Sequence, residues 1–387
     1  MLKPIFYIAF ILSLPILLLS QKQRCASPYN IVDGVLAKER AYTRTNKTIQ
    51  LVFHILYHSE DENISNEEIM EQIDLVNKDF NAINNDIASV PDVFQELIGN
   101  PNLSFILANE DEKGLPFSGI FRQFTPIENI ASQFSEDGKE IIKYKVLGGS
   151  NAFFPASYVN IWIGRTTDIF GVTAPLDKAG SPDDGIIITP EAFGVIADPD
   201  SPTSLGRTLT HELGHYFGLN HLWGLQNGCG NDDGIEDTPI QERPYVGCPE
   251  FPQLSCGSFD MHMNFMDFSN DECLLFFTKG QVEIMRQTLE DIRSGTIVST
   301  SELVQTNPDV EFTIKVVSDQ LSISTTSNLE GPVSVSIFSI GGQIIHKDLL
   351  NELNVHRIDT NEWPRAVYIL AIHALDQRFT HTFIAGY

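Results

Sequence analysis

Positive charge is scarce in this chain. Only 25 Lys and Arg stand against 51 Asp and Glu, a formal net charge of −26 over 387 residues. A surface of that sign repels nucleic-acid phosphates and anionic lipid headgroups, and excludes both as partners. It suits a protein kept soluble outside the cell by charge, and one that uses calcium. Long apolar runs are scarce too. The single one, Ile5 to Leu19, follows Lys3 and ends near Ser20. At about fifteen residues it falls short of the ~20 that span a bilayer, so residues 1–20 read as an export signal and no stable membrane span is expected. Cysteine is limited to five: Cys25 stands alone, while Cys229, Cys248, Cys256 and Cys273 share one short stretch. In an exported chain four clustered cysteines suggest two disulfides, for which three pairings are open.

What is present is an ordinary globular composition, 42% hydrophobic, long enough for two or three domains. Residues 21–47 are polar and lack a core pattern. The run Ile49 to Tyr57 reads as a strand. Ser65 and Glu68 form a capping box before a helix whose apolar positions include Ile69, Ile73, Val76 and Phe80. Further strands are expected at 103–108, 159–164 and 185–189, a central helix at 204–219 and a last helix at 278–292. The order of elements suggests an α/β (α+β) catalytic domain over 48–294. Residues 295–308 read as a Ser/Thr-rich linker. From 309 to 387 short alternating strands point to a separate β-sandwich.

The stretch His211-Glu-Leu-Gly-His215-Tyr-Phe-Gly218-Leu-Asn-His221 carries the chemistry. His211 and His215 are four apart, so both imidazoles leave one helix face and meet a single zinc. Gly218 takes the positive φ that ends the helix, and the chain returns His221 to the same ion. Three neutral nitrogens leave a fourth position open, the mark of a catalytic site. Glu212 sits beside it to move a proton between water and a leaving amine, which is peptide hydrolysis. Met266 fits a tight turn that floors the three histidines.

With Leu51-Val-Phe-His-Ile-Leu-Tyr, Asn160-Ile-Trp-Ile, Asp233-Gly-Ile-Glu-Asp-Thr-Pro, Gly247-Cys-Pro and Phe276-Phe-Thr-Lys-Gly-Gln, the chain resembles the pappalysin family of metzincins over about residues 48–290. The resemblance implies a zincin-like fold of two subdomains flanking a horizontal cleft, and a zinc endopeptidase acting on proteins or peptides. It also implies the pairings Cys229–Cys256 and Cys248–Cys273, and a cysteine switch at Cys25 within Arg24-Cys25-Ala-Ser. A calcium site at Asp233, Asp237 and Thr238 follows from it as well. The segment after the methionine walls the specificity pocket, where Glu272, next to Asp271, is the expected carboxylate favouring Arg or Lys after the scissile bond. One departure stands out. Phe268 replaces a tyrosine whose hydroxyl helps stabilise the tetrahedral intermediate, so weakened activity is expected. The competing reading is a weak or inactive protease-like surface binding protein. Such scaffolds lose the glutamate or a ligand, and this chain keeps all four.

Val335-Ser-Ile-Phe-Ser-Ile-Gly-Gly-Gln and Trp363-Pro-Arg-Ala-Val-Tyr-Ile-Leu are similar to the C-terminal sorting domain of the type IX secretion system. That resemblance implies export through the periplasm to the cell surface or medium, with the secretion machinery as partner.

Overall fold

The structure, a computed structural model, describes residues 22–29, 46–111, 117–198, 200–298, 312–317, 320–339, 344–364, 366–374 and 377–385. The export signal, most of the pro-segment and most of the linker lie outside the described residues.

A mixed sheet organises the catalytic domain, and a long, mostly apolar strand forms its centre. β1 (Gln23–Cys25), β2 (Lys47–Tyr57), β3 (Leu103–Leu107), β4 (Ile120–Phe124), β5 (Val159–Ile163), β6 (Ile169–Thr173) and β7 (Ile186–Ile188) all belong to it. β2 runs parallel to β3 through its first half, to β4 through its second and to β5 on its other edge. A strand with neighbours on both edges and cover on both faces must be largely apolar, and β2 is apolar from Leu51 to Tyr57 except at His54, whose ring nitrogens pair with Ser150 and Asn160. Leu51, Phe53 and Ile55 point into the larger core. Leu56 packs instead with Trp162, Ile130 and Ile142 on the opposite face. β7 continues from β5 in parallel, and β6 closes against it antiparallel.

Helix α1 (Asn66–Phe80) covers the larger core with Ile69, Ile73, Val76 and Phe80, and the Ser65–Glu68 capping box starts it. The short α2 (Asp92–Gln95) precedes the chain's return to β3. α3 (Arg207–Tyr216) is buried along its whole length. It is shorter than the 204–219 expected, because Gly206 at φ 65° and Gly218 at φ 92° stop it at both ends. Beyond it, residues 222–275 hold almost no regular structure besides the small ribbon of β8 (Leu254–Ser255) and β9 (Ser258–Phe259). Disulfides Cys229–Cys256 and Cys248–Cys273 tie this region together. α4 (Lys279–Asp291), capped by Thr278, packs beneath α3 through Ile284, Met285 and Leu289.

Two boundaries differ from expectation. β10 (Ile297–Val298) pairs antiparallel with β2, so the sheet reaches past residue 294 into the stretch read as linker. Gln23–Cys25 of the pro-segment adds to the outer edge of the same sheet, parallel to β6.

The C-terminal unit is wholly antiparallel: β11 (Phe312–Val317), β12 (Gln320–Ser339), β13 (Ile344–Asp359), β14 (Ala366–Ala374) and β15 (Gln377–Ala385). β12 is long because it serves two layers. Register shifts between Ser324 and Leu329 and between Glu330 and Val333 break the β12–β13 ribbon, and such irregularities bend a sheet. The fold-over brings Phe312 of β11 to 4.2 Å from Phe379 of β15. Leu321, Ile323, Val335, Ile337, Tyr368 and Leu370 share the resulting core.

Gly218 tests how tightly the α3 terminus is determined. A Cβ there would lie 2.4 Å from Thr288 Oγ1, on a backbone at positive φ. Gly218→Ala should cost about 1–3 kcal/mol and lower the melting temperature by several degrees in thermal unfolding. An unchanged melting temperature would mean that the turn after α3 relaxes freely.

Candidate active site

Helix spacing and one turn bring three imidazoles together. His211 and His215 leave the same face of α3, and the bend at Gly218 returns His221 to them. Their Nε2 atoms lie 3.0, 3.1 and 3.3 Å apart. His211 Nδ1 faces the Phe265 carbonyl at 2.7 Å, and His215 Nδ1 faces the Leu219 carbonyl at 2.8 Å. A carbonyl only accepts, so each of these Nδ1 atoms carries the proton and its Nε2 presents a lone pair. Burial, and for His211 and His221 the neighbouring rings, push the imidazoles below their ordinary pKa, His215 to about 4. Neutral rings with converging lone pairs repel one another unless a cation lies between them. Ligands at about 2.0–2.1 Å from a tetrahedral ion stand roughly 3.3–3.4 Å apart, close to the spacing seen. The donor set fits zinc.

Met266 packs against α3 between the two histidines of the helix, at Gly214. A Cβ on Gly214 would come within 2.5 Å of its sulfur, so the helix and the methionine meet without a side chain between them. Asn264 Oδ1 accepts from Met266 N, and Phe265 between them accepts from His211, so one turn places both the floor and a ring anchor. Trp223 stacks on His221 with ring centroids 4.6 Å apart. Phe268 lies 4.9 Å from both His221 and Trp223 and offers no donor.

Cys25 completes a group of four. Its sulfur and the ligand atoms of His211, His215 and His221 all lie within 4.8 Å of one another. Burial holds the thiol well above its usual pKa, with the Glu212 charge adding to this. Ser27, two residues on, accepts a hydrogen bond from Thr173 N at 2.7 Å and donates to Glu212 Oε2 at 2.8 Å. The Thr173 hydroxyl lies 2.7 Å from the same oxygen. Glu212 Oε1 is buried without a partner. Burial pushes this carboxyl up to about 7, against the pull of Thr173, Ser27 and Cys25.

Arg24, the other neighbour of Cys25, is buried. It donates to Asp271 Oδ1 and to the Ser269 carbonyl, both at 2.8 Å. Asp271 Oδ2 accepts from Leu205 N and Arg207 N at the start of α3. This corrects the pocket reading. Asp271 is the fully buried carboxylate that meets a guanidinium, whereas Glu272 is exposed beside the Cys248–Cys273 bridge. Consecutive residues in a tight turn point in different directions, and only one can face inward.

In the acidic loop Asp237 Oδ1 accepts from Thr278 Oγ1 and Oδ2 from Gly280 N at the start of α4. Asp233 Oδ1 accepts from the Thr238 hydroxyl and Ile235 N, while its Oδ2 is buried without a partner. Arg24, Ser27, Thr173, Asp271 and Trp223 thus join the site beyond the residues expected there. Of these Arg24, Ser27 and Asp271 lay in stretches that the sequence had marked.

Comparison with known proteins agrees with this geometry. The family described as pregnancy-associated plasma protein-A matches residues 149–290, and a secretion system C-terminal sorting domain matches residues 317–385. Mature mirolysin from Tannerella forsythia, solved with a cleaved peptide, is 37% identical. The alignment covers 68% of this chain and 99% of that one, with a TM-score of 0.62. An extracellular metalloprotease of Colletotrichum graminicola is 33% identical over 206 residues, 50% of this chain and 70% of the relative. One from Arthroderma benhamiae is 41% identical over 95 residues, 23% of this chain, which spans only 32% of that relative's length.

The burial of Arg24 and Cys25 can be read in solution. A chromogenic disulfide reagent should leave Cys25 unmodified in the folded precursor. Arg24→Ala, which removes the Asp271 contact, should speed its modification at least tenfold. Equal rates would mean that Arg24 does not hold the segment down.

Proposed function

This chain belongs to the pappalysin family of metzincin metallopeptidases, and from that membership we propose that it is a secreted zinc endopeptidase made as a latent precursor. The convergence of three imidazole lone pairs beside a buried carboxylate carries the reading. His211, His215 and His221 would hold the zinc. Bound there, zinc supplies the Lewis acidity that polarises a scissile carbonyl and acidifies a water. Phe265 and Leu219 carbonyls keep two rings in the ligating tautomer. Glu212 takes a proton from water and passes it to the leaving amine. Thr173 donates to its Oε2 and helps orient the carboxylate. A binding-only role is disfavoured, because the carboxylate and all three imidazoles are retained and oriented.

Three pro-segment residues account for latency. Cys25 would fill the fourth ligand position, and a coordinated thiolate escapes the burial penalty it otherwise meets. Ser27 holds the proton-shuttling oxygen of Glu212, and Arg24 fills the Asp271 pocket. Removal of the segment frees all three at once. The vacated Asp271 pocket then suits Arg or Lys in a substrate, placed after the scissile bond. Calcium at the 232–238 loop belongs to the proposal too, anchored by the unpartnered Asp233 oxygen. The sorting domain over 317–385 supports export by the type IX machinery. Among the described residues no helix is long and apolar enough to cross a membrane.

Casein digestion by the activated protein should require zinc and vanish in Glu212→Ala. Cys25→Ser should make the precursor active before processing; full latency in that variant would remove the switch. On a peptide library, Arg after the cleaved bond should be favoured over Leu. Asp271→Asn should reduce that preference about 10–100-fold, the worth of a hydrogen bond to a charged group. An apolar preference in the unaltered enzyme would end the pocket assignment. Phe268→Tyr should raise kcat, since the new hydroxyl can reach the developing oxyanion. If EDTA inactivation were fully reversed by zinc alone, the calcium reading would fail.

A further inference from the structure

A polar cluster in the C-terminal unit occupies positions where strand alternation calls for apolar side chains. In the β12–β13 ribbon, His346 is the register partner of Ile337, Asp348 of Val335 and His356 of Ile323. Directly opposed residues share a face. Ile323, Val335 and Ile337 are all fully buried. His346, Asp348 and His356 therefore lie on the core-facing side of the ribbon, at an edge strand that leaves them 20–35% exposed.

Their meeting is not local. Ten residues of straight strand would separate His346 from His356 by about 33 Å. The fold-over of the ribbon instead brings both Nε2 atoms to 2.8 Å from the same oxygen, Asp348 Oδ2. The ligand atoms of the three residues lie within 4.8 Å of one another.

We propose that His346, Asp348 and His356 form a second metal site, for a divalent first-row transition cation of the zinc class, which staples the two halves of β13 together. Two imidazole nitrogens with one carboxylate oxygen suit zinc, nickel or copper and disfavour calcium or magnesium, which take oxygen ligands. The two rings aim at one oxygen, and a cation seated among the three donors replaces two converging hydrogen bonds with three coordinate bonds. One carboxylate against two neutral imidazoles leaves the site anionic, in a chain already at −26. Because the donors come together only when the ribbon is bent, bound metal stabilises the folded-over form against the unfolded one.

The test uses the full-length precursor carrying Glu212→Ala to prevent self-digestion, stripped of metal and equilibrated with zinc. Two zinc ions per chain are expected. His346→Ala, His356→Ala and Asp348→Asn should each bind one. Asp348→Asn keeps the shape of the side chain, so its loss of an equivalent is not a folding defect. Trp363 lies 6.4 Å from His346, which provides a local reporter. Copper added to protein holding one zinc should quench its emission, and the quench should disappear in Trp363→Phe and in the histidine variants. Equal zinc content in the parent and all three variants would overturn the proposal. So would a copper quench that the histidine substitutions leave unchanged. In either case the cluster is a hydrogen-bonded guard on an edge strand.

Discussion

Lone pairs held about 3 Å apart repel, and a protein that gathers three imidazoles so closely must hold the rings from outside. Much of the local structure serves that requirement. His211 is anchored by a carbonyl in the turn that delivers Met266, and His215 by a carbonyl just past Gly218. The turn at Met266 and the bend after α3 are therefore the two loops that fix the tautomers. Gly214 and Gly218 are needed for the same reason, one for close approach of the floor and one for the bend. Trp223 and Phe268 wall the remaining ring, His221, with flat apolar surfaces. Phe268 thus has a packing duty that exists whether or not a hydroxyl stands on the ring.

Asp271 is the second point where several duties meet. One oxygen receives the Arg24 guanidinium, and the other accepts two backbone N–H groups at the start of α3. Its own carbonyl accepts from Arg207, which in turn grips Asp86. Asp271 is therefore part of the frame that positions α3. Neutral replacement by alanine would leave buried donors unsatisfied and confuse specificity with stability, whereas asparagine keeps an oxygen in place.

The ligand set was legible because its spacing is governed by helix geometry, and Gly218 announced the turn. β2 was legible because a strand enclosed on all sides has to be largely apolar. The boundaries were less so. Ile297 and Val298 complete the sheet, yet a pair of apolar residues inside a Ser/Thr-rich stretch carries no period to detect. Asp271 and Glu272 were indistinguishable by chemistry, and only the tight turn decides which one is buried. Thr173 and Trp223 belong to no motif and reach the site through tertiary packing. The anchoring of α4 by Asp237 was hidden for a related reason, since its partners Thr278 and Gly280 lie about forty residues away.

The pro-segment strand is only three residues long, with two registered pairs to β6. Strand pairing on that scale is marginal by itself, so the side chains of Arg24, Cys25 and Ser27 must supply most of the hold. Even they act within one chain, where the connection to β2 keeps the segment at a local concentration on the order of millimolar. Cutting anywhere between Ser27 and β2 leaves every contact intact but turns an intramolecular contact into a bimolecular one. On the latency proposed above, the freed segment would then dissociate by dilution and release Glu212 Oε2 from Ser27. Latency of this kind resides in the tether as much as in the blocked site, which is why a short polar stretch with no core pattern is sufficient for it.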